Sequence, residues 1–185
     1  LIMRLAEIPL LLSFWGAQGY GEWLMITALP TALALSDGGM TKTAQRQMTM
    51  QIAGKNEIGA LKTLQSTWIT LLIVSLVLIT GSVLASNALP IHELLKIVTI
   101  NNNSLITTIT LLTIQVTIMF QCGLLRGIFT CRGQYATGEL YQVLIYVLSF
   151  TGLLIAVFLG GDILAAASGL TIGTLIGFLC MWIGV

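Results

Sequence analysis

An all-α, polytopic membrane bundle is what this sequence predicts, and three observations predict it. Of 185 residues, 56% are hydrophobic and only 8% are charged, and the apolar residues gather into runs close to the length that crosses a bilayer. The mean hydropathy is +0.96. A soluble domain carries about a quarter charged residues, so the missing charge has to be replaced by surface that faces lipid. The formal net charge of +1 gives no basic footprint, and no Lys/Arg stripe is interleaved with aromatics, so nucleic acid is set aside. Cys122, Cys131 and Cys180 lack metal-ligand spacing and His92 has no visible ligand partner, so neither a metal nor a cofactor is expected.

Six apolar segments can be placed, with about 20 residues taken as the spanning length. The first, residues 1–15, has no charged n-region before it and no A-x-A site after it, so it does not read as a signal peptide. It is short of a full span and reads as the end of a truncated first helix. The second, 23–42, is expected to continue as a polar helix through 51. Pro30 removes a backbone donor near its middle, so a kink is expected there. The third segment is 64–85.

The fourth segment, 105–125, places Thr110, Thr113, Thr117 and Gln121 on one stripe, because spacings of three and four return to the same helix face. Two readings are open: the hydroxyls bond their own helix carbonyls while Gln121 links neighbouring helices, or the stripe lines a water-filled cavity. The fifth and sixth segments, 140–159 and 163–185, carry small residues at four-residue spacing. These are Gly152, Ala156 and Gly160 on one, and Ala165, Gly169, Gly173 and Gly177 on the other. In lipid such faces let helices pack closely; a smooth seam along which helices rock is the second reading. Val185 ends an apolar run abruptly, so the chain is expected to be a single transmembrane unit, 1–185, truncated at both ends.

Lys42, Arg46, Lys55 and Lys62 fall between the second and third segments, and Arg126 and Arg132 between the fourth and fifth. The alternate connections hold Glu22, then His92, Glu93 and Lys96, then Asp162. Short loops rich in Lys and Arg stay on the cytoplasmic side, so one topology satisfies every loop. Trp15, Tyr20 and Trp23 then fall where an outer aromatic belt would lie. Asp37 is the acid closest to the bilayer interior on the second segment. A charge at the bilayer centre costs about 2.5–3.5 kcal/mol on insertion scales, so Asp37 is expected to face a cavity or a cation. Arg4 and Arg126 are available at similar depth; a structural ion pair and a transport role are both open. Glu7 is the other acid on these first segments, whereas Glu139 and the remaining loop charges are explained by snorkelling and topology. No G-x-S-x-G, H-E-x-x-H or Walker loop is present, so an enzyme is not expected.

Two stretches go further. The first runs GYGEW (19–23), an apolar run, SDGGM (36–40), TKTAQRQ (41–47) and GKNEIGALK (54–62). The second is GLLRGIFTCRGQY (123–135). In these stretches the chain resembles the polysaccharide (O-antigen, Wzx-type) flippases of the multidrug, oligosaccharidyl-lipid and polysaccharide exporter superfamily. The likeness follows the order of all six segments. It departs at Gly38, where family members often carry an apolar residue, and in lacking a second six-helix lobe. The resemblance implies one lobe of a two-lobed, alternating-access transporter in the cytoplasmic membrane. Its substrate would be an undecaprenyl-diphosphate-linked oligosaccharide. Membrane lipids, a polysaccharide polymerase and assembly proteins are the implied partners. Arg4, Asp37 and Arg126, with Thr113, Thr117 and Gln121, are the candidate cavity residues. An ion-coupled multidrug exporter, a non-transporting scaffold subunit and a membrane-embedded glycan transferase are the alternatives, the last weakened by the lack of catalytic acids in the outer loops.

Overall fold

Helix accounts for nearly all of the computed structural model, which describes residues 2–37, 39–88, 97 and 100–185, the side chains of residues 2–6 and 36 excepted. No strand occurs among the described residues. The order is α1 (Ile2–Leu33), a 3-10 turn (Ala34–Asp37), α2 (Met40–Ala53), α3 (Glu57–Ala88), α4 (Asn102–Cys131), α5 (Tyr135–Phe158) and α6 (Ile163–Ile183).

Four of these, α3 to α6, are long and apolar enough to cross a membrane. None contains proline, so each can satisfy its backbone groups internally, as a segment in lipid must. Their outer faces are apolar: Leu72, Ile73 and Leu76 on α3, Val143 and Ile155 on α5, and Ile172, Leu175 and Leu179 on α6 are all exposed. Continuous oily faces of this kind suit acyl chains rather than water. At the centre stands α4, which has no exposed residue from Thr108 to Cys131 and packs against each of the other five helices.

The first two expected spans are not among these four, so the expected count of about six is not reached among the described residues. Inside α1, Gly16 adopts φ 67°, ψ −178°, a conformation essentially reserved for glycine. There the helix folds back. Trp23 Nε1 lies 3.3 Å from Glu7 Oε1, whereas 16 residues of straight helix would separate their backbones by about 24 Å. The two arms cover residues 2–15 and 17–33. Helical structure passes through Pro30, where the kink was expected, and is interrupted one turn later by the 3-10 turn and by Gly39 at φ 79°. The polar continuation expected through 51 is therefore a separate helix, α2.

The aromatic belt also needs correcting. Trp23 is 2% exposed and belongs to the main apolar cluster with Leu11, Ile26, Leu105 and Ile109, against which Trp15 and Tyr20 pack. Trp15 meets Trp23 edge-on and donates its indole N–H to the Gly161 carbonyl at 3.4 Å.

The two ends of the bundle differ in charge. At one end Gln45 meets Thr130, Arg126 meets Glu139 and Trp68 meets Trp182. This gathers α2, the start of α3, the end of α4, the start of α5 and the end of α6. Lys42, Arg46, Lys55, Lys62, Arg126 and Arg132 all belong to those segments or to the turns that join them. At the other end Trp15 meets Gly161, and Ile97, Leu105 and Ile163 share a cluster. His92, Glu93 and Lys96, expected at that end, lie outside the described residues.

Candidate functional site

The second arm of α1 and helix α2 together make a broken helix that tracks α4 along its length. Trp23 and Ile26 pack with Leu105 and Ile109. Beyond the break, Gln45 Nε2 donates to Thr130 Oγ1 at 3.0 Å and Thr49 Oγ1 lies 3.4 Å from Cys131 Sγ. Contact positions rise together in both segments, so α2 and α4 run in the same direction. Glycines on α4 permit the approach: a Cβ at Gly123 would sit 2.9 Å from Thr41 Cγ2, and one at Gly127 would sit 3.3 Å from Met48 Cε. Helix α2 buries Thr41, Ala44 and Met48, at spacings of three and four, against its neighbours. Its opposite face, with Lys42, Thr43, Arg46 and Gln47, is exposed.

Asp37 sits in the break. Its Oδ1 accepts the Thr41 backbone N–H at 3.2 Å and the Thr41 hydroxyl at 2.6 Å. A carboxylate on an orphan N–H at a helix start contributes about 0.5–2 kcal/mol, so Asp37 stabilises the restart of the helix. Arg126 is engaged elsewhere, 3.4 Å from Glu139 on α5. The considered Asp37–Arg126 pairing is therefore replaced by two separate contacts. Arg4 belongs to the first arm of α1, and its side chain lies outside the described residues.

The polar stripe on α4 is inside the bundle rather than on a cavity wall. Thr110, Thr113 and Thr117 donate to the carbonyls of Ile106, Ile109 and Ile114 at 2.8 Å each. That is the back-bonded arrangement, which leaves these hydroxyls satisfied within their own helix. Gln121 differs from them. It is 9% exposed and neither atom of its amide has a hydrogen-bond partner among the described residues, so the expected link to a neighbouring helix is not made among them.

Between α5 and α6 the small residues serve packing. A Cβ at Gly152 would run into the Gly169 carbonyl, and one at Gly169 into that of Gly152. A Cβ on Gly173 would stand 2.7 Å from Ser149 Cα, and one on Gly177 2.8 Å from Ile145 Cγ1. Ala156 lies against Gly169 and Gly161. The buried pair Ser149 and Thr174, with hydroxyls 2.8 Å apart, adds a polar tie. Gly160 has a different role from the one expected. It is exposed, with φ 76° and open space around it, and closes α5 as the left-handed residue of a Schellman turn: Gly160 N–H bonds Val157 O and Gly161 N–H bonds Ala156 O, both at 3.0 Å.

No protein-family model, curated protein or solved structure matches the chain. What the structure offers chemically is a cationic face on a broken helix, at the basic end of an oily bundle. Sequence reasoning treated Lys42 and Arg46 as topology signals only. The signal that they share one face was their four-residue spacing, opposite the buried Thr41, Ala44 and Met48.

Proposed function

We propose that this chain is one lobe of a transporter that moves an undecaprenyl-diphosphate-linked oligosaccharide across the cytoplasmic membrane by alternating access. The observation that carries the reading is the broken helix, whose α2 segment turns Lys42 and Arg46 away from the bundle. Interrupted helices at membrane depth are tolerated where they line a cavity or meet protein. A diphosphate arriving from the cytoplasmic leaflet needs cations at that level, and the positive-inside rule assigns the basic end to the cytoplasm. The resemblance at residues 19–62 and 123–135 supports the same reading. Exporters of cationic drugs would need acids turned into a cavity. Asp37 and Glu7 are instead engaged with Thr41 and Trp23, which favours the lipid-linked glycan.

The test is leaflet exchange of a fluorescent short-glycan undecaprenyl diphosphate by the full-length protein in liposomes under an imposed potential or ion gradient. Exchange above that of empty liposomes, lowered on the order of tenfold in Lys42→Gln/Arg46→Gln, is the expected result; a tenfold loss corresponds to about 1.4 kcal/mol. Undiminished exchange by the variant at equal protein level would refute the role of this face. Efflux of a cationic dye without lipid exchange would place the protein among drug exporters, and neither activity would favour the scaffold reading.

A further inference from the structure

Helices α2, α3, α4 and α6 border a groove of about 710 Å³ at the basic end, within the roughly 300–1,000 Å³ of sites that hold small ligands. Leu64, Trp68, Leu125, Ile128 and Trp182 are among its apolar walls. Trp68 and Trp182, ring centroids 4.8 Å apart at an interplanar angle of 70°, bridge the two helices. Leu61 and Trp182, both lining the groove, are exposed, so it is open to the outside of the bundle.

Two charged side chains line this apolar slot, Glu57 at the first residue of α3 and Arg132 at the end of α4. They make no ion pair with each other. Arg132 donates Nη1–H to the Val185 carbonyl at 2.7 Å, which leaves most of its five N–H donors for other acceptors. Lys55 and Lys62 do not line the groove. A guanidinium and a carboxylate beside a hydrocarbon slot are complementary to a molecule that joins an anion, a cation and an apolar chain.

We propose that this groove binds a zwitterionic phospholipid bearing a primary amine, of the phosphatidylethanolamine class, with its phosphate on Arg132, its ammonium on Glu57 and an acyl chain along Leu64, Leu125 and Ile128. A guanidinium takes phosphate oxygens in a bidentate fashion. A primary ammonium brings N–H donors to a carboxylate, which a quaternary choline lacks. An anionic headgroup without a cation would set its negative charge against Glu57. The site is independent of the transport reading, since a lipid held here serves a transporter and a scaffold equally.

Full-length protein reconstituted with mixed phosphatidylethanolamine, phosphatidylcholine and phosphatidylglycerol tests it, by mass spectrometry of the lipid retained after detergent extraction. Retention of phosphatidylethanolamine over phosphatidylcholine on the order of tenfold is expected, the effect of one charge-assisted hydrogen bond. Glu57→Gln erases that preference, and Arg132→Gln lowers retention of both lipids. Both residues are exposed, so neither change disturbs the core. Phosphatidylethanolamine with brominated chains quenches tryptophan fluorescence more than brominated phosphatidylcholine, and Trp182→Phe reduces the difference. Preferential retention of phosphatidylglycerol or phosphatidylcholine, or a preference unaltered in Glu57→Gln, overturns the assignment. So does the absence of retained lipid with equal quenching by both brominated lipids, the outcome expected if a second copy or another segment fills the groove.

Discussion

Trp23 hands its indole N–H to Glu7 across 3.3 Å, and the two residues lie seven and nine positions either side of Gly16. The contact closes a helical hairpin whose corner is one residue at φ 67°, ψ −178°. Leu11 and Ile26, buried in the same cluster, hold the arms together.

That corner leads to the first prediction. Gly16→Ala should destabilise the protein by about 1–3 kcal/mol, because the conformation is open essentially only to glycine. Gly21, on the second arm with open space where a Cβ would go, is the control. Gly21→Ala should be neutral or gain up to about 1 kcal/mol in helix propensity. Thermal unfolding in detergent reads both, and equal midpoints for the two variants would remove the hairpin corner.

Helix pairing is tested at Gly173. A side chain there would meet the backbone of Leu148 and Ser149, so Gly173→Leu should cost at least the roughly 1–3 kcal/mol of an overpacked core. Leu175 is exposed on the outer side of the same helix, and Leu175→Ala should stay within about 0.5 kcal/mol. If Gly173→Leu expresses and melts like the parent, α5 and α6 do not pack as described.

Gln121 carries the opposite sign. A buried amide with no partner among the described residues forfeits its hydration without compensation, a penalty of about 1–3 kcal/mol, and an apolar group of similar shape avoids it. Gln121→Met should therefore raise the unfolding midpoint. A lowered midpoint would mean that the amide finds a partner in the assembled protein.

Lys55 is the described non-glycine residue with positive φ, 56°. It closes α2 in a Schellman turn through Lys55 N–H to Ile52 O and Asn56 N–H to Gln51 O. The left-handed conformation costs an L-residue about 1–2 kcal/mol, and glycine avoids that cost. Lys55→Gly should stabilise by about 1 kcal/mol, and Lys55→Val should destabilise. Chemical denaturation that ranks valine above glycine would contradict the turn.

Much of this molecule was readable from its residues. The four apolar segments beginning near 64, 105, 140 and 163 all became membrane-length helices, because hydropathy over a window of spanning length is a property of local composition. The Thr110, Thr113 and Thr117 stripe was correctly placed on one face, although spacing alone does not tell a back-bonded hydroxyl from a cavity wall. Gly160 was misread because four-residue spacing is blind to φ: the same glycine that continues a packing stripe also ends a helix. The groove between Trp68 and Trp182 left no trace in periodicity, since its walls come from helices far apart in the chain.

By itself the sequence determined an oily helical bundle with six of its eight cations gathered at one end, because both follow from which residues sit in which stretch. Tertiary structure alone decided that residues 2–33 turn back at Gly16 and that the helix breaks again before Gly39. It also decided that Arg126 meets Glu139 while Asp37 holds Thr41. Those outcomes depend on single backbone dihedrals and on which side chains come within a few ångströms, and neither quantity is carried by composition or spacing.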